Sequence, residues 1–144
     1  ALTRLLPHPP NFAPITAMAL FSGVFFDKKA LGFMVPLIAM ILSDLFLGFY
    51  TISAFVYLSF FLITLLGRGI GKVNVGSVLL ASFLFFVISN LGVWVLYYPL
   101  TLEGFVTCFT LAIPFFGTAL LGDVFYSVVL FYGFKAAEKR LQLA

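Results

Sequence analysis

The chain has 144 residues, 63% of them hydrophobic and 9% charged, with a formal net charge of +3. Soluble domains carry roughly 25% charged residues, so a water-soluble globular fold is excluded. The single cysteine, Cys108, excludes a disulfide framework and a CxxC metal pair, and reads as a buried, inert thiol.

The thirteen charged residues are bunched, leaving uncharged runs at 5–26, 30–43, 45–67, 73–102, 104–122 and 124–134. A helix needs about 20 mainly apolar residues to cross the hydrocarbon core. The expectation is an all-α fold: one integral membrane domain over residues 1–144, a polytopic transmembrane bundle of five spans in contact with the lipid bilayer. The basic residues are scattered over short loops rather than gathered into a patch, which argues against nucleic acid as a partner.

The opening "ALTRLLPHPPNFAP" holds Pro7, Pro9, Pro10 and Pro14, and proline fixes φ and removes a donor, so it reads as a boundary loop. The chain begins at Ala1 without methionine, and an N-terminal piece is expected to have been removed. The first span is predicted at about 14–26, closed by "DKK", and the second at about 30–48, with Pro36 as a kink. A third, about 52–66, runs to the basic turn "GRGIGK" at 67–72, which lacks P-loop spacing. The fourth covers about 75–96 and ends in "YYPLTLEG". Pro114 and Gly117 interrupt 104–134, predicting a short interfacial or re-entrant piece at 104–112 and a fifth span at about 114–134.

Lysine and arginine groups follow the first, third and fifth spans (28–29, 68–72, 135–140), whereas the loops near 49–52 and 97–103 have none. The positive-inside rule then places the N-terminus outside, the C-terminus in the cytoplasm, and Tyr97 and Tyr98 at the outer interface.

Polar residues inside apolar spans carry the functional signal, because lipid makes them costly. Asp44 is expected either to pair with a hydroxyl such as Ser43 or Tyr50, or to face a cavity and bind ligand. Asp123, about ten residues into the fifth span, is expected to face the bundle and hold helices together, as small residues do. Asn90 shares a helix face with Trp94 and is expected to hydrogen-bond across helices or to contact ligand. Tyr57 and Tyr126 read as packing residues with satisfied hydroxyls. Ala13, Ala17 and the Ser22/Gly23 pair form a small-residue seam for close helix contact. In "HPPN", Asn11 is expected to cap the helix near Pro14 or to touch ligand, and His8 to belong to a lid; a lone histidine predicts no metal site. No catalytic constellation, HExxH or P-loop occurs, so neither enzymatic activity nor a cofactor is expected.

Three stretches, "LPHPPNFAPITAMALFSGVFF", "PLIAMILSDLFLGF" and "AIPFFGTALLGDVFYSVVLFYGF", resemble a family of small uncharacterised bacterial membrane proteins that is similar to the substrate-binding S components of energy-coupling factor vitamin transporters. The resemblance covers most of the chain. It implies a six-helix fold whose first helix is missing or truncated here, a last helix introduced by Pro114 and Phe115, and an outer pocket. It further implies uptake of a small vitamin-like molecule, with Asn11, Asp44, Tyr50, Asn90, Trp94 and Tyr97 as substrate contacts. The partner would be a transmembrane coupling subunit with its ATPases, docked on an AxxxA seam for which Ala13 and Ala17 have the spacing. The competing expectation is a structural or accessory subunit of a larger membrane complex.

Overall fold

The computed structural model describes residues 14–26, 29–48 and 50–142. His8, Asn11 and Ala13 lie outside the described residues. Among those described there are five helices: α1 Ile15–Phe25, α2 Lys29–Leu47, α3 Ser53–Ile70, α4 Val75–Tyr97 and α5 Leu102–Gln142. Three of them, α3, α4 and α5, are long and apolar enough to cross a membrane. The apolar part of α2, Ala30–Phe46, is shorter, and α1, at 11 residues, spans about 16 Å, half of a hydrocarbon core of about 30 Å. Short connections make consecutive helices antiparallel.

The shortest helix is the centre of the bundle. α1 touches each of the other four, which otherwise meet only in sequence order: α2 with α3, α3 with α4 and α4 with α5. Its Ile15, Thr16, Ala17, Ala19, Leu20, Ser22 and Gly23 are all buried, as a helix apolar on every side requires.

Close approach to α3 makes this position possible. A Cβ on Gly23 would collide with the Thr64 carbonyl oxygen, and one on Gly67 would lie 2.6 Å from the carbonyl oxygen of Leu20. Only glycine on both helices lets the two backbones touch. Across to α2, the Ser22 hydroxyl donates to the Gly32 carbonyl at 2.8 Å, and Arg68 Nη1 donates to the Phe26 carbonyl at 3.2 Å, tying the end of α3 to that of α1.

Small and hydroxyl-bearing residues fill the interior while large apolar ones face out. Ser22, Ser43, Ser59, Thr64 and Ser82 are fully buried, whereas Leu45, Phe46, Leu111 and Leu121 are exposed. Such an arrangement suits a protein whose solvent is hydrocarbon. Three of these hydroxyls use backbone carbonyls of their own helices: Ser43 that of Met40, Ser59 that of Phe55 and Thr64 that of Phe60.

Two boundaries differ from expectation. α3 continues through Gly67 and Arg68 to Ile70, and the turn begins only at Gly71, whose φ of +67° makes it a left-handed C-cap. Gly67 is a packing residue rather than part of a loop. More substantially, 102–142 is one helix of 41 residues, about 61 Å long, with no re-entrant piece at 104–112. Pro114 and Phe115 lie inside it and do not introduce a helix. A proline removes one ladder bond, and where no water competes for the remaining backbone groups the helix persists through it, as α2 does through the buried Pro36. α4 starts with a reciprocal cap, Asn74 Oδ1 accepting from Ser77 N and Ser77 Oγ accepting from Asn74 N, each at 2.9 Å.

The glycine seam makes a contrast that thermal unfolding in detergent measures. Gly67→Ala should cost at least about 1–3 kcal/mol through overpacking. Gly117→Ala, where a Cβ meets nothing within 4 Å, should be neutral or stabilising by about 0.5–1 kcal/mol. Equal effects at the two positions would show that the helices are not in contact there.

Candidate functional site

The intramembrane polar residues resolve into three places rather than one. Near the α2–α3 connection, Asp44 is 3% exposed and accepts a hydrogen bond from Tyr57 Oη at 2.5 Å. Ser43, one of the hydroxyls expected to pair with it, donates instead to the Met40 carbonyl. Position explains the choice: Ser43 sits one residue away on the same helix and is held by its own backbone, whereas Tyr57 reaches across from α3. An acid accepting from a phenol in an apolar interior gains a strong, short bond.

Deeper in the bundle, Asp123 of α5 is also 3% exposed. Ser82 Oγ of α4 donates to its Oδ2 at 2.7 Å, and the Thr16 side chain of α1 is within hydrogen-bonding reach of the same carboxylate. Three helices meet at this one group. α1 has no acidic residue in its own first turn, and Asp123 brings a carboxylate to that end, where a helix favours negative charge.

The third place is a groove of about 230 Å³ between α4 and α5, closed at the back by Val56 of α3. Its walls are mostly Phe85, Phe86, Val93, Phe115, Phe116 and two alanines, Ala112 and Ala119; Ser89 and Asn90 are its polar groups, with Ser82 at the end where it meets the Asp123 node. Asn90 does not form the expected bond across helices. Its Nδ2 donates to the Phe86 carbonyl four residues back at 2.8 Å, because the facing part of α5 is apolar. Ser89 Oγ likewise donates to the Phe85 carbonyl at 2.7 Å. Each side chain thus has a bond to its own helix, and the Asn90 amide still offers the groove its Oδ1, which bonds to no described residue, and its second N–H. Cys108 is buried behind it, its Sγ 3.6 Å from the Asn90 carbonyl oxygen.

Of the other candidate contacts, Trp94 is committed to the α4–α5 turn: its Nε1 donates to the Pro99 carbonyl at 3.0 Å, and its ring meets Phe105 edge-on at 5.3 Å. Tyr50 and Tyr97 are 64% and 62% exposed. Neither lines the groove. Asn90 is therefore the one proposed substrate contact among the described residues that the groove contains, and Asp44, Tyr50, Trp94 and Tyr97 do not join it. Ala17 is buried against this chain's own helices.

The family scan matches residues 1–144 to the model of DUF6580, a family of unknown function. The chain belongs to this family. No curated protein and no solved structure matches it.

In this DUF6580 chain, sequence reading missed Ser82 and Thr16 as the partners of Asp123. Serine and threonine in apolar helices are too common to single out, and nothing in the spacing links positions 16, 82 and 123. The node should be cooperative. Ser82→Ala and Asp123→Ala should each lower stability by about 1–3 kcal/mol, and the double variant should cost less than their sum. Denaturant unfolding of the three variants in one detergent tests this, and strictly additive losses would mean that the two side chains act independently.

Proposed function

We propose that this protein is a membrane-embedded binding subunit for a small, largely apolar molecule carrying one hydrogen-bond donor, held in the α4–α5 groove. The observation that carries the reading is the groove's chemistry: phenylalanine and alanine walls, with the Asn90 Oδ1 as an uncommitted acceptor between them. Ligand sites commonly have this character, apolar with few polar groups that fix orientation. A strongly hydrophilic vitamin would leave its polar groups unpaired there, so the vitamin-like substrate implied by the S-component resemblance narrows to an apolar one.

That resemblance supports uptake as the purpose, with translocation driven by a separate coupling subunit and its ATPases. Such a partner would dock on a surface other than Ala17, which is buried. Orientation with the C-terminus in the cytoplasm of a bacterial cell fits the gathering of basic groups at one end. Arg68 lies beside Phe26, and Lys135 projects from the last turns of α5.

An accessory subunit of a larger membrane complex is the second reading. It is favoured by the way Asp44 and Asp123 are occupied in joining this chain's helices.

Mass spectrometry of small molecules co-purified with protein extracted gently from its own membrane distinguishes them. The binding reading expects one apolar species retained at near-unit ratio, lost in Ala119→Trp, which fills the groove, while the variant still unfolds cooperatively. Large partner chains retained with no small molecule would overturn it in favour of the accessory role.

A further inference from the structure

A second groove, of about 210 Å³, lies at the opposite end of α4, between its first turn and residues 124–132 of α5. Val75, Val78, Val124, Val128, Phe131 and Tyr132 form an apolar channel, and two of them are largely uncovered, Val75 at 72% and Tyr132 at 67% exposed. Two features set this channel apart from ordinary lipid-facing surface.

The first is charge at its rim. Lys135 Nζ sits 4.4 Å from the centroid of the Phe131 ring, folded back over a wall of the groove, and Lys72 immediately precedes Val73, another wall residue. The acidic residue of this end of α5 is Glu138, one turn beyond Lys135; with Lys139 and Arg140 following it, the end of the helix stays net positive. The second is the Ser127 hydroxyl. It lines the groove, is only 6% exposed, and makes no hydrogen bond to any described residue. Buried polar groups in native structures are nearly always satisfied, so a lone hydroxyl in a channel marks where something else binds. Ser127 and Phe131 are one helical turn apart, about 6 Å, so the hydroxyl lies one turn below the ammonium group that covers Phe131.

We infer that this groove holds one anionic phospholipid. An acyl chain lies along Val75, Val78, Val124 and Val128, a glycerol ester oxygen accepts from Ser127, and the phosphate meets Lys135 and Lys72. The apolar length of the channel selects a lipid over a free anion, and the two ammonium groups select an anionic headgroup over a zwitterionic one. The site shares no residue with the α4–α5 groove described above, and stands whether or not that groove binds a substrate.

The test is native mass spectrometry of the delipidated full-length chain in detergent, titrated with phosphatidylglycerol or phosphatidylcholine of identical acyl chains. The first phosphatidylglycerol should bind several-fold more tightly than the first phosphatidylcholine, and Lys135→Ala should weaken it about fivefold. Arg140→Ala removes the same charge from the opposite face of α5, nine residues at about 100° each beyond Phe131, and should leave the preference intact. Val128→Trp, which fills the channel, should remove the first tight lipid. Equal affinity of the two lipids for the unaltered chain would overturn the assignment. So would equal losses in Lys135→Ala and Arg140→Ala, which would reduce the effect to diffuse attraction. Should Val128→Trp not fold, the Lys135 and Arg140 comparison still decides.

Discussion

The bundle depends on backbone contact between a very short helix and its neighbour. α1 has 11 residues, too few to be stable alone in water and too few to cross a membrane, yet every other helix rests on it. In hydrocarbon there is no hydrophobic force pulling helices together, so association relies on close packing and polar bonds. Gly23 and Gly67 provide the close packing. Ser22 on Gly32, Arg68 on Phe26 and Thr16 beside Asp123 provide the polar bonds, one to each of α2, α3 and α5. Larger side chains at the glycines would push α3 away and uncover the hydroxyls buried around it.

This constraint also explains why the two carboxylates behave as they do. Asp44 and Asp123 are both nearly fully buried, and each is met by a hydroxyl donor from another helix, Tyr57 and Ser82 respectively. Leaving a buried acceptor unpaired costs about 1–3 kcal/mol, and more when it is charged. Their positions are therefore those of joints. The two grooves, in contrast, lie between α4 and α5 toward opposite ends of α4, and Asn90 Oδ1 and the Ser127 hydroxyl are among the polar atoms there that bond to no described residue.

Much of the architecture was legible from charge and glycine. The starts and ends of α1, α2 and α4 fall within a residue or so of the spans read at 14–26, 30–48 and 75–96, because prolines, glycines and clustered charges mark where the apolar stretches stop. The continuity of α5 was not legible: Pro114 and Gly117 signal a break when the competing solvent is water, and the signal weakens in lipid. Nor was the central place of α1, since its small residues allow contact with any neighbour and the sequence does not say that Gly67, apparently in a basic turn, is the one it meets. The site was read least well. Trp94 and Asn90 share a helix face as spacing requires, but the tryptophan is turned to Pro99 and the amide to its own backbone, choices set by the neighbouring helix and turn rather than by the helix that carries them.

The central claim is that α1 sits inside the bundle with its first turn on Asp123 of α5. Its most direct test is disulfide cross-linking in native membranes of Thr16→Cys/Asp123→Cys in a Cys108→Ala background. Mild oxidation should give an efficient intramolecular cross-link between positions 107 residues apart, with none in Thr16→Cys/Leu121→Cys, because Leu121 is 69% exposed on the outside of the same helix. Cross-linking at Leu121 but not at Asp123, in protein that still extracts as a folded monomer, would place α1 on the surface of the bundle and contradict the account.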